Sequence, residues 1–327
     1  MFADDEYDGF ETHFDQVKQN LISSDQPSDE MFATSGDTKP TKPARKGGKK
    51  KAEGEAATAP TRRKKAEVEE VEVNIKEFDL NWIPPQSASE HKGCKIAVIG
   101  GSGSGKSTLV QSLLASKAHI APVIQIFNGS EENNATYHTN YPPIFVHDKL
   151  DINAMIEFKK RQTIAGKHLP ENSWAIQIID DCMDDPKMFK HPVVQAYYKQ
   201  GRHWHMIHIL CLQYCMDIMP SIRQNIDFIF ILKESSQKMR KKLYEDYCPG
   251  CVETFADFNA LMDELTTNYG AIVINRRATS TKIEDMIFYY KADPDALSPA
   301  WKFGHQTAWD FSNERYDENA GDPFVKD

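Results

Sequence analysis

Residues 100–107, Gly-Gly-Ser-Gly-Ser-Gly-Lys-Ser, constrain the possible fold of this chain more than any other segment. They match the phosphate-binding pattern G-x-x-x-x-G-K-S/T in full. An apolar run at 95–99 precedes them, and Leu109, Leu113 and Leu114 recur behind them at helical spacing. A flexible Gly-Ser linker would not end in Gly-Lys-Ser-Thr between a strand and a helix. The segment therefore predicts a loop that binds the phosphates of a nucleotide.

The chemistry of such a loop assigns a role to each of its residues. Backbone amides and the helix N-terminus surround the phosphates. Lys106 is expected to reach the β- and γ-phosphates, and the hydroxyl of Ser107 is expected to hold a magnesium ion. ATP and Mg²⁺ are thus the predicted cofactors. The other predicted nucleotide-binding residues are Gly100, Gly101, Ser102, Gly103, Ser104, Gly105 and Thr108.

The composition of the 327-residue chain narrows the class of protein further. The formal charge of −9 means that any contact with nucleic acid must come from a local patch. Six scattered cysteines and no recognisable signal peptide are typical of reduced thiols in a cytosol-like compartment. No apolar run approaches the roughly 20 residues that span a bilayer, so no integral membrane segment is predicted.

Three regions are predicted along the chain: an arm at 1–70, an ordered domain at 71–310 and a loose acidic tail at 311–327. The arm is acidic at first and strongly basic between residues 39 and 65, where it is also rich in Pro, Gly and Ala. Such a segment buries too little apolar area to offset its ordering entropy, so disorder is predicted. Its basic part is either a nuclear-localisation signal or DNA tether, or a solubilising spacer.

The ordered domain is predicted to be an α/β P-loop NTPase with a mostly parallel central sheet, covered by helices on both faces. This prediction rests on apolar runs that alternate with helical stretches. Strands are predicted at 95–99, 122–127, 174–180, 205–212 and 227–232. Helices are predicted near 106–116, 151–164, 186–200 and 236–246. An edge strand at 71–75 and a late antiparallel hairpin at 271–275 and 286–291 complete the predicted sheet.

An acidic pair follows the apolar run at 174–179. A phosphate-loop enzyme needs one carboxylate at the carboxyl edge of its sheet for Mg²⁺ and a second group to polarise the attacking water. We assign Asp180 to the metal and Asp181 to the water. Asp184 and Asp185 could displace this assignment, although capping a helix that begins after Pro186 is their expected role.

Three further polar residues lie at strand boundaries. Gln213 ends an apolar strand, where it senses the γ-phosphate, positions water or is a simple strand-end residue. Arg202 and Arg223 each precede an apolar strand. An arginine offered to a neighbour's nucleotide would stabilise transition-state charge, although most surface arginines are merely solvated.

Taken together, six segments are specific enough to indicate a family. They are 78–82, 100–107, 178–182, 201–203, 212–214 and 222–225. Their content and order resemble the poxvirus-type genome-packaging ATPases of the nucleocytoplasmic large DNA viruses, which belong to the FtsK/HerA branch of P-loop NTPases. The resemblance covers about residues 75–310. It implies an ATP-driven motor that translocates double-stranded DNA into a preformed capsid.

The resemblance also implies partners and residue roles. The glutamine strand should lie between the phosphate-loop strand and the acidic strand, with Gln213 as a sensor. Arg202 or Arg223 should act in trans within a homo-oligomeric ring, and capsid or portal-vertex proteins are possible partners. The expected location is the host cytoplasm, in the viral factory, or the virion, with nuclear entry open through the basic arm. Many bacterial relatives carry Asp-Glu where this chain has Asp180-Asp181, so the shorter Asp181 side chain must lie closer to the water.

Other patterns leave alternatives open. A small-molecule or nucleotide kinase would carry an arginine-rich lid, which the sequence does not clearly show; a nucleotide-regulated scaffold would not need the acid pair. Cys248 and Cys251 form a C-x-x-C, which is a plain turn with two thiols, one half of a zinc site or a redox pair. Basic residues between 233 and 242 could line a DNA channel or form a solvated helix face.

Overall fold

The computed structural model describes residues 75–131, 136–169, 171–183, 187–214, 218–248, 250–280, 282–295 and 301–317. They fall within the compact unit Val68–Asp327. The predicted arm at 1–70, the acidic residues 184 and 185, and the end of the predicted tail lie outside the described residues.

The described residues form one sheet of nine strands, in the order β1-β9-β8-β7-β2-β6-β5-β3-β4. The strands are β1 (Lys76–Glu77), β2 (Cys94–Ile99), β3 (Val123–Asn128), β4 (Val146–His147), β5 (Ala175–Asp180), β6 (Met206–Leu212), β7 (Phe228–Ile231), β8 (Gly270–Asn275) and β9 (Ile287–Lys291). Strand β2, which leads into the phosphate loop, is parallel to both of its neighbours, β6 and β7. Strand β6 lies between β2 and β5, as the resemblance implied.

Strands β8 and β9 confirm the predicted late hairpin. They are antiparallel to each other, and β8 is antiparallel to β7. The predicted edge strand at 71–75 lies outside the described residues, apart from Ile75. Strand β1, which follows directly at Lys76–Glu77, lies at one edge of the described sheet and is parallel to β9.

Helices cover both faces of the sheet. Successive residues of β2 belong alternately to two separate apolar clusters, one on each face, and each cluster includes helix residues. The helices are α1 (Lys106–Lys117), α2 (Ile152–His168), α3 (Pro192–Gln200), α4 (Pro220–Arg223), α5 (Gln237–Tyr247), α6 (Phe255–Leu265), α7 (Ile283–Met286) and α8 (Gln306–Arg315). Helix α1 packs on the face that includes Ile96 and Val98. Helices α2, α3, α5 and α6 pack on the face that includes Ala97 and Ile99. The predicted α/β class is confirmed.

Two helix boundaries correct the sequence predictions. Helix α3 begins at Pro192 rather than after Pro186, because the ring nitrogen of His191 caps the amide of Val193 and proline suits the first helical position. Helix α8 spans the predicted domain boundary at 310. The indole of Trp309 donates to the carbonyl of Phe303 at 2.8 Å, which ties this helix to the ordered domain.

Helix α6 was missed, although its start carries a readable signal. Thr254 caps the amide of Asp257, and the carboxylate of Asp257 accepts from the amide of Thr254. Such a reciprocal capping box marks a helix start three residues before its acidic member. The Thr-x-x-Asp spacing ahead of an apolar run could therefore have predicted this helix.

A buried histidine in β6 makes the stability of the fold depend on pH. The ring centre of His208 lies 5.2 Å from that of Tyr197. The side-chain amide oxygen of Gln177 lies 3.3 Å from Nδ1 of His208. Burial, with a smaller contribution from the charge of Lys95, lowers the pKa of His208 to about 3. Below its ordinary pKa of 6.5, the unfolded chain binds a proton at this site that the folded chain does not.

We therefore expect the free energy of unfolding to fall as the pH drops from about 6 to 4, by about 1.4 kcal/mol per pH unit from this residue. Urea unfolding at a series of pH values measures this slope. His208→Gln should flatten the profile, whereas His119→Gln, at an exposed position, should not. An equal slope in the chain with His208 and in His208→Gln would contradict the assignment.

Candidate functional site

The phosphate loop connects the carboxyl end of β2 to α1 and has the conformation that its sequence predicts. Gly105 adopts a φ of 99°, a left-handed conformation that favours glycine. It is the residue before α1 and gives the helix no side-chain cap, and no acidic residue stands in the first turn. The first amides of α1 are therefore available to an anion at the positive end of the helix dipole.

Lys106 lies folded over this loop. Its ammonium group donates to the carbonyl oxygens of Gly100 at 2.8 Å and Gly101 at 3.1 Å. Ser107 follows on the first turn of α1 and is exposed. The buried hydroxyl of Ser104 has no hydrogen-bond partner among the described residues. The ammonium group of Lys106, the unpaired hydroxyl of Ser104 and the first amides of α1 thus lie where the sequence predicts a triphosphate.

Asp180 is the last residue of β5 and lies buried at the same edge of the sheet. The hydroxyl of Tyr137 donates to its carboxylate at 3.0 Å. Burial raises the pKa of Asp180, while the hydrogen bond from Tyr137 and the charge of Lys106 oppose this rise. A carboxylate in this position gains from a nearby cation. Together with the hydroxyl of Ser107 it offers the hard oxygen ligands that Mg²⁺ prefers, so these residues fit the predicted metal.

Asp181 adopts a left-handed backbone conformation, with a φ of 50°. Such conformations are uncommon for residues other than glycine and cluster at functional sites. The side-chain amide of Gln213 donates to the carboxylate of Asp181. Gly129 permits this arrangement, because a Cβ atom there would lie 2.1 Å from the carbonyl oxygen of Asp181. The structure thus brings Lys106, the acid pair and Gln213 together at one edge of the sheet.

A second set of polar residues supports Asp180, and no motif in the sequence indicates it. The buried carboxylate of Glu131 accepts from the side chain of Asn128 at 2.6 Å and from the backbone amides of Tyr137 at 2.8 Å and His138 at 3.0 Å. Burial alone would raise the pKa of Glu131, but these hydrogen bonds and one from the His138 ring together lower it. Glu131 therefore fixes the segment whose tyrosine hydroxyl contacts Asp180. Asn128 pairs with Asp180 across β3 and β5, and this alignment could have indicated its position.

Arg202 and Arg223 lie at the opposite edge of the sheet, where the parallel strands β6 and β7 begin. Arg202 precedes β6, and its carbonyl accepts from the amide of Gly93, just before β2. Since β6 extends over Met206–Leu212, its two ends are about 20 Å apart. Arg202 and Arg223, which precedes β7, are thus remote from the phosphate loop of their own chain.

The environments of these two arginines differ. The side chain of Arg202 is 44% exposed and pairs with Asp227. That of Arg223 is 17% exposed, pairs with Asp246 at 2.7 Å and lies 5.6 Å from the ring centre of Tyr247. Arg223 is more firmly committed to contacts within its own subunit.

Two other sequence patterns acquire a structural setting. In the basic segment, Arg240 is buried and pairs with Asp263 of α6 at 2.7 Å, so it links two helices rather than facing solvent. Lys233, Lys238 and Lys241 are exposed. The thiols of the C-x-x-C pair are buried and unbridged, and burial raises the pKa of each. None of the described helices is long and apolar enough to cross a membrane.

Comparison with known proteins now identifies the family. Residues 87–298 match the family described as poxvirus A32 protein. This chain belongs to the poxvirus A32 family. The family that the motifs predicted is thereby confirmed.

Relatives of this A32-family chain occur in two iridescent viruses. Protein 088R of Invertebrate iridescent virus 3 is 41% identical over 228 residues, which cover 68% of this chain and 87% of that protein. Protein 075L of Invertebrate iridescent virus 6 is 38% identical over 250 residues, covering 76% and 96%. Among solved structures, the genome packaging NTPase of Sulfolobus turreted icosahedral virus 2 with AMP aligns with a TM-score of 0.47 at 15% identity. That alignment covers 62% of this chain and 98% of that one.

Proposed function

We propose that this member of the A32 family is an ATP-hydrolysing motor that translocates double-stranded viral DNA into a preformed capsid. The observation that carries the proposal is the convergence of Lys106, Asp180, Asp181 and Gln213 at one edge of the sheet, around a phosphate-binding loop. Membership of the A32 family supports a role in genome packaging.

The residues of the site divide the work of hydrolysis. When ATP binds, Lys106 exchanges its two loop carbonyls for β- and γ-phosphate oxygens, with the amides at the start of α1 around them. Ser107 and Asp180 hold Mg²⁺, which neutralises charge on the phosphates when bound. Asp181 orients the attacking water. Gln213, held against Asp181, senses whether a γ-phosphate is present.

We propose that the motor is a homo-oligomeric ring. In a ring with a nucleotide at each subunit boundary, the sheet edge that carries Arg202 in one subunit can face the sheet edge that carries the phosphate loop in the next subunit. Arg202, remote from its own loop and half-exposed, suits a role in trans better than Arg223 does. Double-stranded DNA and other copies of this chain are the proposed partners, and capsid or portal-vertex proteins are a further class. The proposed place of action is the viral factory in the host cytoplasm.

The decisive measurement is the ATPase rate of the full chain with and without long duplex DNA. We expect duplex DNA to raise the rate, and the rise to shrink as salt increases, because contacts with the DNA backbone release counterions. Lys106→Ala protein controls for contaminating activity. Phosphate transfer to a small acceptor would instead indicate a kinase, and ATP binding without turnover would indicate a scaffold. A rate indifferent to DNA at all salt concentrations would contradict the motor.

A further inference from the structure

An exposed tyrosine lies beside the phosphate loop and takes no part in the chemistry described above. Because β8 is antiparallel to β7, its first residue lies at the same edge of the sheet as the loop. Tyr269 immediately precedes β8 and its side chain is 49% exposed. A Cβ atom on Gly105 would lie 2.8 Å from Cδ1 and 3.5 Å from Cε1 of Tyr269. The ring thus rests against the point where the loop enters α1.

The turn that carries this ring is firmly anchored. Asn268 and Tyr269 both adopt left-handed conformations, with φ of 48° and 63°. Such conformations are unusual for a bulky residue and persist only where surrounding contacts impose them. Here the amide of Gly270 donates to the carbonyl of Thr267 at 2.9 Å, and the amide of Ala292 donates to the carbonyl of Tyr269 at 3.1 Å. The aromatic ring is therefore held in place beside the loop.

The order of the strands indicates which end of a nucleotide would meet the ring. Asp180 ends β5 and Gln213 follows β6, on one side of β2, and both are proposed to face the γ-phosphate. Strands β7 and β8 lie on the other side of β2. With its γ-phosphate toward β5 and β6, a triphosphate leaves the loop toward β7 and β8, where Tyr269 lies.

We propose that Tyr269 stacks on the base of the bound nucleoside triphosphate. This inference rests on the proposed nucleotide site and assigns its base subsite. Stacking on a tyrosine face is tolerant of base identity, because every base has a π-face. The ring therefore contributes affinity for the nucleoside rather than strict choice of adenine, and GTP should bind nearly as well as ATP.

The test compares ATP with inorganic tripolyphosphate, which has the phosphates but no base. Dissociation constants of both are measured by calorimetry for the full chain and for Tyr269→Ala, Tyr269→Phe and Tyr269→Leu. We expect Tyr269→Ala to weaken ATP binding about tenfold, the effect of losing one base–aromatic contact, and to leave tripolyphosphate binding unchanged. Tyr269→Phe keeps the ring and should bind ATP as the natural chain does. Tyr269→Leu keeps apolar bulk without a π-face and should resemble Tyr269→Ala.

Each other outcome has a separate meaning. Equal loss of ATP and tripolyphosphate affinity in Tyr269→Ala would show that the ring only packs against the loop, and would overturn the stacking role. Full ATP affinity in Tyr269→Leu or Tyr269→Ala would overturn it as well. If the natural chain binds neither ligand, it is the proposed nucleotide site itself that fails.

Discussion

Lys106→Ala should reduce ATP hydrolysis by at least about 10²–10³-fold, the usual effect of losing one preorganised group that stabilises transition-state charge. The ammonium group of Lys106 is held at the mouth of the loop by the carbonyls of Gly100 and Gly101, so little reorganisation is needed to reach a phosphate. Its removal also takes away the cation that opposes the raised pKa of Asp180. We therefore expect weaker nucleotide binding as well as lost turnover, measured by phosphate release and calorimetry.

Asp181→Asn is the matched comparison for Lys106→Ala. It keeps the size of the side chain and a partner for Gln213 but removes the charge that orients water, so ATP should still bind while turnover is lost. The two variants separate binding from chemistry. Normal turnover in Lys106→Ala would remove the phosphate-loop assignment. Normal turnover in Asp181→Asn would shift the water-orienting role to another residue.

Arg202→Ala should leave ATP binding nearly intact and reduce turnover by about 10³-fold or more, as loss of an arginine finger does. The physical reason is the position of Arg202 at the edge of the sheet opposite its own loop, about 20 Å away, so that only a neighbouring subunit's nucleotide lies within reach. Mixing Arg202→Ala with Lys106→Ala protein is the sharper experiment. Some interfaces in a mixed ring then combine an intact loop with an intact arginine, and part of the activity should return.

The ion pair of Arg202 supplies the control. Asp227→Asn breaks the pair with Arg202 but leaves the guanidinium free to act, so it should retain turnover if the arginine serves a neighbour. The parallel variant Arg223→Ala should affect stability first, since that side chain is largely buried against Asp246 and Tyr247. No recovery in mixtures whose subunits are shown to exchange would place the arginine's role within its own chain. Full DNA-stimulated activity in a monomer would exclude the ring.

Much of the fold could be predicted from the sequence, because the patterns that indicate its strands are local. The buried strands β2, β3, β5, β6 and β7 are mostly apolar, and each predicted strand lies within two residues of the observed one at both ends. The weaker predictions were those whose signals are short or polar. Strand β1 has two exposed residues, so nothing in its composition marks it. Helix α8 contains seven polar or charged residues among ten and packs through few side chains, chiefly Trp309 and Ser312, so its periodicity is faint.

The sequence by itself determined the elements of the site that are continuous along the chain: the loop at 100–107, the acid pair at the end of β5 and Gln213 after β6. Each lies at the carboxyl end of its own strand, and parallel strands bring their carboxyl ends to one edge. Only the tertiary structure decided the contacts of Tyr137 with Asp180 and of Tyr269 with the loop. Those tyrosines come from turns far along the chain, and their positions depend on strand order and on turn conformations that no local pattern encodes. For the same reason the sequence could name two arginines, and only the sheet showed that both lie at the edge opposite their own phosphate loop.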